Sequence, residues 1–199
     1  MQKISALITG GYGDIAKAIK KELEENGINA YAPGKCYLDV TNDLSIKELD
    51  GTYDILINCA GYILPNSIFD PSYLCEAEKH YLVNFSGPQK LIHLLLTRNP
   101  NLKVINIGST AGSSAKANWS NYCTQKAALI MLTKCLFLEG VKAICISPGR
   151  TDTKMRNSLF PDENKELLLK PDQVAKKVMD AINGKLPWGE NIEVVYGGI

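Results

Sequence analysis

The segment NYCTQKAAL, residues 121–129, holds a tyrosine and a lysine four positions apart in a stretch with the composition of a helix. Residues four apart on a helix share one face, so the Lys126 ammonium can lie near the Tyr122 phenol. A nearby positive charge lowers the pKa of a phenol and makes it a usable acid–base group near neutral pH. The same spacing also fits a surface pair without chemistry, and the rest of the chain must decide between the two.

A glycine-rich turn near the N-terminus is a second candidate for chemistry. In ITGGYGDIAKAI, Gly11, Gly13 and Ala16 match the pattern G-x-G-x-x-A between an apolar run and a helical period. Glycines here let the backbone approach a pyrophosphate, and the helix N-terminus offers free N–H groups and the positive end of its dipole. The pattern predicts a dinucleotide site, with a tight turn that binds nothing as the alternative.

Short apolar runs alternate with longer stretches of helical period along the chain, which is typical of a parallel sheet covered by helices. The candidate strands are ISALIT, INAYA, DILINCA, KVINIGS, KAICIS and IEVVYG, and the candidate helices lie at 15–23, 76–98, 120–138 and 171–182. We predict an α/β fold of three layers around a doubly wound parallel sheet. It is built as a single domain over residues 1–199, with strand order 3-2-1-4-5-6-7.

Composition and charge narrow the class of protein. The chain has 22 Lys and Arg against 21 Asp and Glu, so no basic field favours nucleic acid or an anionic membrane as a partner. Its six cysteines form no C-x-x-C pair and no metal-ligand spacing, so we expect reduced thiols and no metal. The N-terminus has no signal-peptide pattern, and no run of about 18 apolar residues occurs. We therefore expect a cytoplasmic protein.

Six sequence marks occur in order over nearly the whole chain: TGGYGDIA after the first strand, NCAG at 58–61, Asn84 in LVNFSG, Ser109 in NIGSTAG, Tyr122 with Lys126, and SPGRTDT at 147–153. Together they resemble the short-chain dehydrogenase/reductase family. The resemblance implies a Rossmann fold and an NAD(P)-dependent oxidoreductase. Such an enzyme transfers hydride between a nicotinamide cofactor and a small carbonyl compound or secondary alcohol.

The resemblance also implies catalytic roles for four residues. Tyr122 would be the general acid in carbonyl reduction, and Lys126 would lower its pKa and bind the nicotinamide ribose. Ser109 would hold the substrate oxygen, and Asn84 would interrupt a helix and anchor a water linked to Lys126. Taken alone, Ser109 also fits a strand-end cap and Asn84 an ordinary buried amide.

Cofactor contacts follow from the same resemblance. They comprise Gly10, Gly11, Tyr12, Gly13, Asp14 and Ile15 at the phosphates and ribose, Asp39 and Val40 at the adenine, Asn58, Ala60 and Gly61 under the adenosine ribose, Pro148, Gly149, Thr151 and Thr153 beside the nicotinamide, and Tyr122 and Lys126. Asp14 stands where classical members of the family usually have a glycine. The spacing there suits the G-x-x-G-x-x-A variant of extended members.

The choice between NAD and NADP depends on the end of the second strand. An acid there would bind the ribose 2′-hydroxyl, whereas a base would accept a 2′-phosphate. Lys35 follows INAYA, and no acid occurs before Asp39. Lys35 fits a phosphate ligand or a solvated turn lysine, and we favour NADP over NAD.

Three functions from different classes fit the sequence. They are an oxidoreductase acting on a small carbonyl or alcohol, a sugar-nucleotide reductase or epimerase, and a dinucleotide sensor without catalysis. The segment that would cover the substrate is short, with Met155, Leu159 and Phe160 able to touch it or simply to pack on the core. We interpret His80 and His93 as ordinary helix residues.

The helix predicted at 120–138 is apolar on more than one face. One face can cover the sheet, and a second apolar face needs a partner. We therefore predict a homodimer or homotetramer that uses this helix.

Overall fold

The computed structural model describes residues 3–197, and its centre is a six-stranded parallel sheet. The strands are β1 (Ser5–Ile8), β2 (Asn29–Tyr31), β3 (Ile55–Asn58), β4 (Lys103–Ile107), β5 (Ala143–Pro148) and β6 (Asn191–Val194). Their order across the sheet is β2-β1-β3-β4-β5-β6. The order reverses between β1 and β3, which is where an open parallel sheet forms its ligand crevice.

Among residues 3–197, seven α-helices surround this sheet. They are α1 (Asp14–Glu25), α2 (Asp43–Lys47), α3 (Tyr73–Tyr81), α4 (Gly87–Arg98), α5 (Ser120–Leu138), α6 (Lys154–Leu159) and α7 (Pro171–Ile182). One apolar cluster joins α1 and α7 to one face of the sheet, and a second joins α4 and α5 to the other face. The predicted three-layer, doubly wound fold is therefore confirmed.

The central strands explain why the sheet forms where the sequence predicts it. All four residues of β3 and all six residues of β5 are buried, as expected for parallel strands covered on both faces. Ile57 pairs with Ile105, and Ile107 pairs with Ile146. The register aligns the carboxyl ends of β3, β4 and β5 at one edge of the sheet.

The predicted strand order is wrong at one edge. It requires a seventh strand outside β2, and within residues 3–197 the sheet has six strands. The segment around 38–42 turns instead, because the Asp39 carboxylate accepts hydrogen bonds from the amide and hydroxyl of Thr41. Leu38 and Val40 are buried in the core from this turn. The remaining order of the strands agrees with the prediction.

The helix predicted at 76–98 begins earlier and contains a π-helical turn. Residues Leu82–Ser86 form this turn between α3 and α4, and the Gly87 amide donates to the Leu82 carbonyl five residues before it. Asn84 lies in this turn and is buried. The prediction that Asn84 interrupts a helix is therefore confirmed.

Within residues 3–197, none of the helices has both the length and the apolar composition needed to cross a bilayer. In the same range, no three His, Cys, Asp or Glu side chains are grouped so that they could hold a metal ion.

Candidate active site

A cleft of about 230 Å³ opens at the carboxyl ends of β3, β4 and β5. The predicted site residues that line it are Tyr12, Gly13, Asp14, Ile15, Gly61, Ser109, Tyr122, Lys126, Pro148, Gly149, Thr151 and Thr153. These residues come from five separate segments of the chain. The fold therefore brings the start of α1, the β4 end, helix α5 and the β5 end to one site.

Helix α5 places Tyr122 and Lys126 on its cleft side. The Lys126 Nζ donates to the Ile107 carbonyl at 2.8 Å and lies 5.7 Å from the centre of the Tyr122 ring. Lys126 is only 4% exposed, which rules out the solvent-exposed surface pair left open by the sequence. Ser109 caps a short 3₁₀ turn at Thr110–Gly112, and its Oγ accepts from the Ala111 amide at 3.2 Å.

Burial controls the protonation of this pair. It raises the pKa of Tyr122 to about 12, although the neighbouring Ser109 hydroxyl acts in the lowering direction. Burial also lowers the pKa of Lys126, because removing an ammonium from water disfavours its charged form. The expected lowering of the Tyr122 pKa is wrong for this structure, because burial is the largest influence on the phenol and raises its pKa. Tyr122 is a protonated phenol at neutral pH.

Asn84 acts on the loop that follows β3. Its Oδ1 accepts from the Tyr62 amide at 3.0 Å, and its Nδ2 donates to the Tyr62 carbonyl at 2.8 Å. These two bonds fix the chain beside Gly61 and Ile63, which both line the cleft. The side chain of Asn84 lies outside the cleft lining.

The glycines of the turn after β1 differ in position, since two pack against neighbouring backbone and one lines the cleft. A side chain on Gly10 would meet the Ala60 Cα at 2.8 Å, and one on Gly11 would meet the Ala32 carbonyl at 1.9 Å. The Gly11 amide donates to the Pro33 carbonyl at 2.9 Å. Gly10 and Gly11 therefore let the turn pack against the rest of the chain, whereas Gly13 lines the cleft.

Asp14 bridges the cleft. Its Oδ2 accepts a hydrogen bond from the Lys154 amide at 2.6 Å, at the first residue of α6. The carboxylate that replaces the usual family glycine thus joins the start of α1 to the segment after β5. The two residues are 140 positions apart in the sequence.

Several predicted cofactor residues lie outside the cleft lining. Asn58 is buried and donates to the Asn106 Oδ1 at 2.8 Å, which connects β3 and β4. Lys35 forms an ion pair with Asp39 at 3.5 Å, and its side chain is 79% exposed. The others are Gly10, Gly11, Asp39, Ala60 and Val40, the last of which is buried in the core. Cofactor contact by these residues stays a prediction.

Several residues of the cleft wall were not predicted from the sequence. Ile63, Lys116 and Trp119 line the cleft together with Tyr122. The Trp119 and Tyr122 rings meet nearly at right angles with centres 5.8 Å apart. A spacing of three residues at the start of a predicted helix is a signal that could have identified Trp119.

A buried histidine was also missed. His80 has no exposed surface, and its ring centre lies 6.5 Å from that of Tyr122. Its Nε2 is 3.2 Å from the Leu64 amide nitrogen, and its Nδ1 is 2.6 Å from the Glu76 carbonyl oxygen. His80 lies in a helix, as predicted, and connects α3 to the loop that borders the cleft.

The short covering segment carries its own ion pairs. Arg156 in α6 contacts both carboxylate oxygens of Glu163, at 2.6 and 2.8 Å, and Arg150 contacts Glu163 at 3.2 Å. Arg156 also stacks over the Phe160 ring at 3.8 Å, and Phe160 packs against Trp119. Met155 and Leu159 line the cleft from this segment.

The glycine turn and the lysine fit a nicotinamide dinucleotide. Residues 12–15 present the N-terminus of α1 to the cleft, where free N–H groups suit a pyrophosphate. Tyr122, Lys126 and Ser109 lie in the same cleft and offer hydroxyl and ammonium donors for a sugar and a substrate oxygen.

Comparisons with known proteins agree with this geometry. Residues 39–164 match the family model for short chain dehydrogenases. The 2,3-dihydro-2,3-dihydroxybenzoate dehydrogenase of Bacillus subtilis is 29% identical over 195 residues, covering 80% of this chain and 74% of that enzyme. A benzil reductase of the same species is 26% identical over 193 residues, covering 80% and 79%.

Solved structures share the fold. The actinorhodin polyketide ketoreductase with NADPH superimposes with a TM-score of 0.87 at 19% identity, covering 98% of this chain and 97% of that chain. A 4-hydroxyisoleucine dehydrogenase mutant complexed with NADH and succinate gives 0.86 at 22% identity, covering 97% of each. The family model matches more than half of this chain. The chain therefore belongs to the short-chain dehydrogenase/reductase family of NAD(P)-dependent oxidoreductases.

Proposed function

We propose that this protein transfers hydride between a nicotinamide cofactor and a small carbonyl compound or secondary alcohol. The observation that carries the proposal is the meeting of Ser109, Tyr122 and Lys126 in one cleft with the glycine turn. A protein that only senses a dinucleotide has no need for a buried phenol next to a buried ammonium. The covering segment is short, which argues against a sugar nucleotide as substrate.

In this proposal the cofactor supplies or accepts the hydride, and the protein supplies orientation and a proton. Residues 12–15 and 148–153 would hold the cofactor, and Lys126 would bind its ribose. Ser109 would hold the substrate oxygen beside the Tyr122 hydroxyl.

Tyr122 would give its proton to the carbonyl oxygen during reduction and take it back during oxidation. Burial raises the pKa of the phenol to about 12, so its proton is present at neutral pH and its transfer requires stabilisation of the phenolate that forms. The Lys126 ammonium next to it favours the phenolate that remains after proton transfer. Asn84 would support this geometry through the loop that contains Tyr62.

Ring compounds are the first substrates to examine. The two curated relatives named above are a dehydrogenase of a dihydroxylated cyclohexadiene acid and a reductase of benzil, and apolar side chains line this cleft. We propose an aromatic or alicyclic carbonyl compound, or the matching secondary alcohol.

NADP is the cofactor that we favour. Lys35 follows β2, and its exposed ammonium can turn from Asp39 to a 2′-phosphate. Asp39 is the alternative ligand, because a carboxylate binds the 2′-hydroxyl of NAD.

A homodimer or homotetramer through α5 is also part of the proposal. Met131 is 60% exposed and Leu138 is 84% exposed on this helix. Burying such side chains against a second copy is favourable. A monomer in sedimentation at micromolar concentration would contradict this assembly. The cytoplasmic location stays a prediction.

Cofactor oxidation over a panel of carbonyl compounds tests the activity. The panel should contain benzil, ring ketones and short aliphatic ketones, each with NADPH and with NADH. Reduction of a ring ketone that disappears in Tyr122→Phe supports the proposal. Binding of NADPH without reduction of any member of the panel would favour the sensor instead.

A further inference from the structure

A tight turn before α5 holds a lysine against a tryptophan at the cleft. The Trp119 amide donates to the Lys116 carbonyl at 3.2 Å, and Asn118 between them has φ of 64°. A positive φ at the third residue is what a type II turn requires, and asparagine tolerates it well. The Asn118 carbonyl accepts from the Asn66 amide at 2.8 Å, which fastens the turn to the loop after β3.

The turn brings the two side chains together. The Lys116 Nζ lies 4.7 Å from the centre of the Trp119 ring, a cation–π contact. Both residues line the cleft, and Trp119 touches Tyr122 directly. The Lys116 ammonium therefore lies over the ring that contacts Tyr122, the group that would protonate a substrate.

The other charged side chains of the cleft either form ion pairs or lie in a different part of the cleft from Lys116. Glu163 forms ion pairs with Arg150 and Arg156, and Lys126 lies beside Tyr122 in the proposed catalytic group. Lys154 begins α6 beside Asp14, at the start of α1, where a pyrophosphate would bind. Asp14 is the acidic residue among those that line the cleft.

Lys116 has no such partner. Within residues 3–197, no carboxylate lies within ion-pair distance of its ammonium. Lys116 is exposed to solvent at the rim of the cleft, and Ile63, Met155 and Leu159 contribute apolar side chains to the same cleft. A substrate held there meets apolar side chains along its body, and the Lys116 ammonium is free to bind an anionic group at its edge.

We propose that the substrate is a carbonyl compound, or the matching secondary alcohol, with a ring as its body and a carboxylate as its second functional group, and that Lys116 binds this carboxylate. The Trp119 ring would contact the body of the substrate while the lysine above it binds the anion. This inference rests on the proposed function, because it assumes that the cleft holds a carbonyl substrate beside Tyr122.

Two ketones that differ in charge test the inference. The probes are 4-acetylbenzoate and 4-acetylbenzamide, which have the same ring and the same reacting carbonyl. We expect the wild-type enzyme with NADPH to favour the acid by about fivefold in kcat/KM, as for a partly exposed ion pair. Calorimetric titration of each probe into the enzyme with NADP⁺ gives the same comparison without turnover.

Variants of the lysine assign the effect. Lys116→Gln should bring the two probes to equal affinity and equal kcat/KM, and Lys116→Glu should reverse the preference. Lys176→Gln, at an exposed lysine of α7, is the matched control and should keep the wild-type ratio.

A wild-type enzyme that binds both probes equally, or binds neither, overturns the inference. So does a Lys116→Gln variant that loses both probes to the same extent. The proposed function fails separately, when no neutral ketone of the panel is reduced although the cofactor binds.

Discussion

The Nε2 of His80 lies 3.2 Å from the amide nitrogen of Leu64, while the Nδ1 of the same ring lies 2.6 Å from the carbonyl oxygen of Glu76. An amide can only donate and a carbonyl can only accept, so Nδ1 carries the proton and Nε2 carries the lone pair. The neutral ring satisfies both contacts, and a charged ring would lose the Leu64 bond. The loop next to the cleft is thus fastened by a group that titrates.

The first prediction concerns stability against pH. Burial lowers the pKa of His80 below its usual value of 6.5, although Glu76, with Lys79 bound to it, acts in the opposite direction. The unfolded chain therefore takes up a proton at a pH where the folded chain does not. Stability should be full above about pH 6.5 and should fall as the pH is lowered below it. Urea unfolding at pH 7.5 and pH 5.5 measures this loss.

Two variants test whether His80 causes the loss of stability at low pH. His80→Gln cannot take up a proton, so the difference in stability between the two pH values should shrink. His93→Gln is the control, because His93 is the other histidine of the chain and is exposed on α4. An unchanged pH dependence in His80→Gln would contradict the prediction. The rings of Tyr62 and Tyr122 face His80, and their hydroxyl groups remain protonated over this pH range, so they do not add to the loss.

The second prediction separates binding from chemistry. Tyr122→Phe removes the hydroxyl that would protonate the substrate oxygen, and the ring stays in contact with Trp119. Turnover should fall by roughly 10²–10⁴-fold, while cofactor affinity and thermal stability stay near the wild-type values. Steady-state kinetics, cofactor titration and thermal melting measure the three quantities. A variant with nearly wild-type turnover would rule out the proposed role of Tyr122.

The third prediction is that Lys126→Met is damaging in two ways. It removes the donor to the buried Ile107 carbonyl, which should cost about 1–3 kcal/mol of stability. It also removes the ammonium that would bind the nicotinamide ribose, so cofactor affinity should fall as well. Loss of turnover with full stability and full cofactor affinity would contradict both expectations.

The fourth prediction tests the cofactor choice. NADPH should bind more tightly than NADH. If Lys35 leaves Asp39 to bind the 2′-phosphate, Lys35→Ala should reduce this difference in affinity. Lys47→Ala in α2 is an exposed control and should keep the difference. Equal affinities of the wild-type protein for the two cofactors would end this idea before any mutation is made.

The fifth prediction concerns Asp14. Its carboxylate lies at the start of α1, where a pyrophosphate would bind, and two negative charges repel each other. Asp14→Asn keeps an acceptor for the Lys154 amide and removes the charge. Affinity for NADPH should therefore rise by about fivefold, a change typical of one partly exposed charge. Asp172→Asn, in the first turn of α7, should leave it unchanged, and a decrease in Asp14→Asn would refute the repulsion.

Most of the framework could be predicted because its signals are local. The candidate strands overlap β1 to β6, since buried parallel strands are short apolar runs between turns. The edge strand could not be excluded from sequence, because Leu38 and Val40 are buried whether their segment is a strand or a turn. The turn depends on hydrogen bonds of Asp39 with Thr41, which an apolar pattern does not report.

The site was predictable where a motif fixes the chemistry. Ser109, Tyr122 and Lys126 meet in the cleft as the resemblance implies. The contribution of His80 depends on its contact with the loop at Leu64, that of Lys116 depends on the turn that places it over Trp119, and neither residue belongs to a motif. The pKa of Tyr122 was predicted in the wrong direction because helical spacing reports a neighbour and gives no measure of burial.

The π-helical turn at Leu82–Ser86 divides one long helix into two rotational phases. A residue added to an α-helix turns everything beyond it by about 100°. Before this turn the buried side of the helix carries His80 toward the cleft loop, and after it Leu91 and Leu95 face the sheet. If the whole segment were one regular α-helix, His80 could face the cleft loop or Leu91 and Leu95 could face the sheet, but not both. Converting this turn to α-helical geometry without changing its length would therefore rotate α4 by about 100° relative to His80, although every side chain involved would still be present.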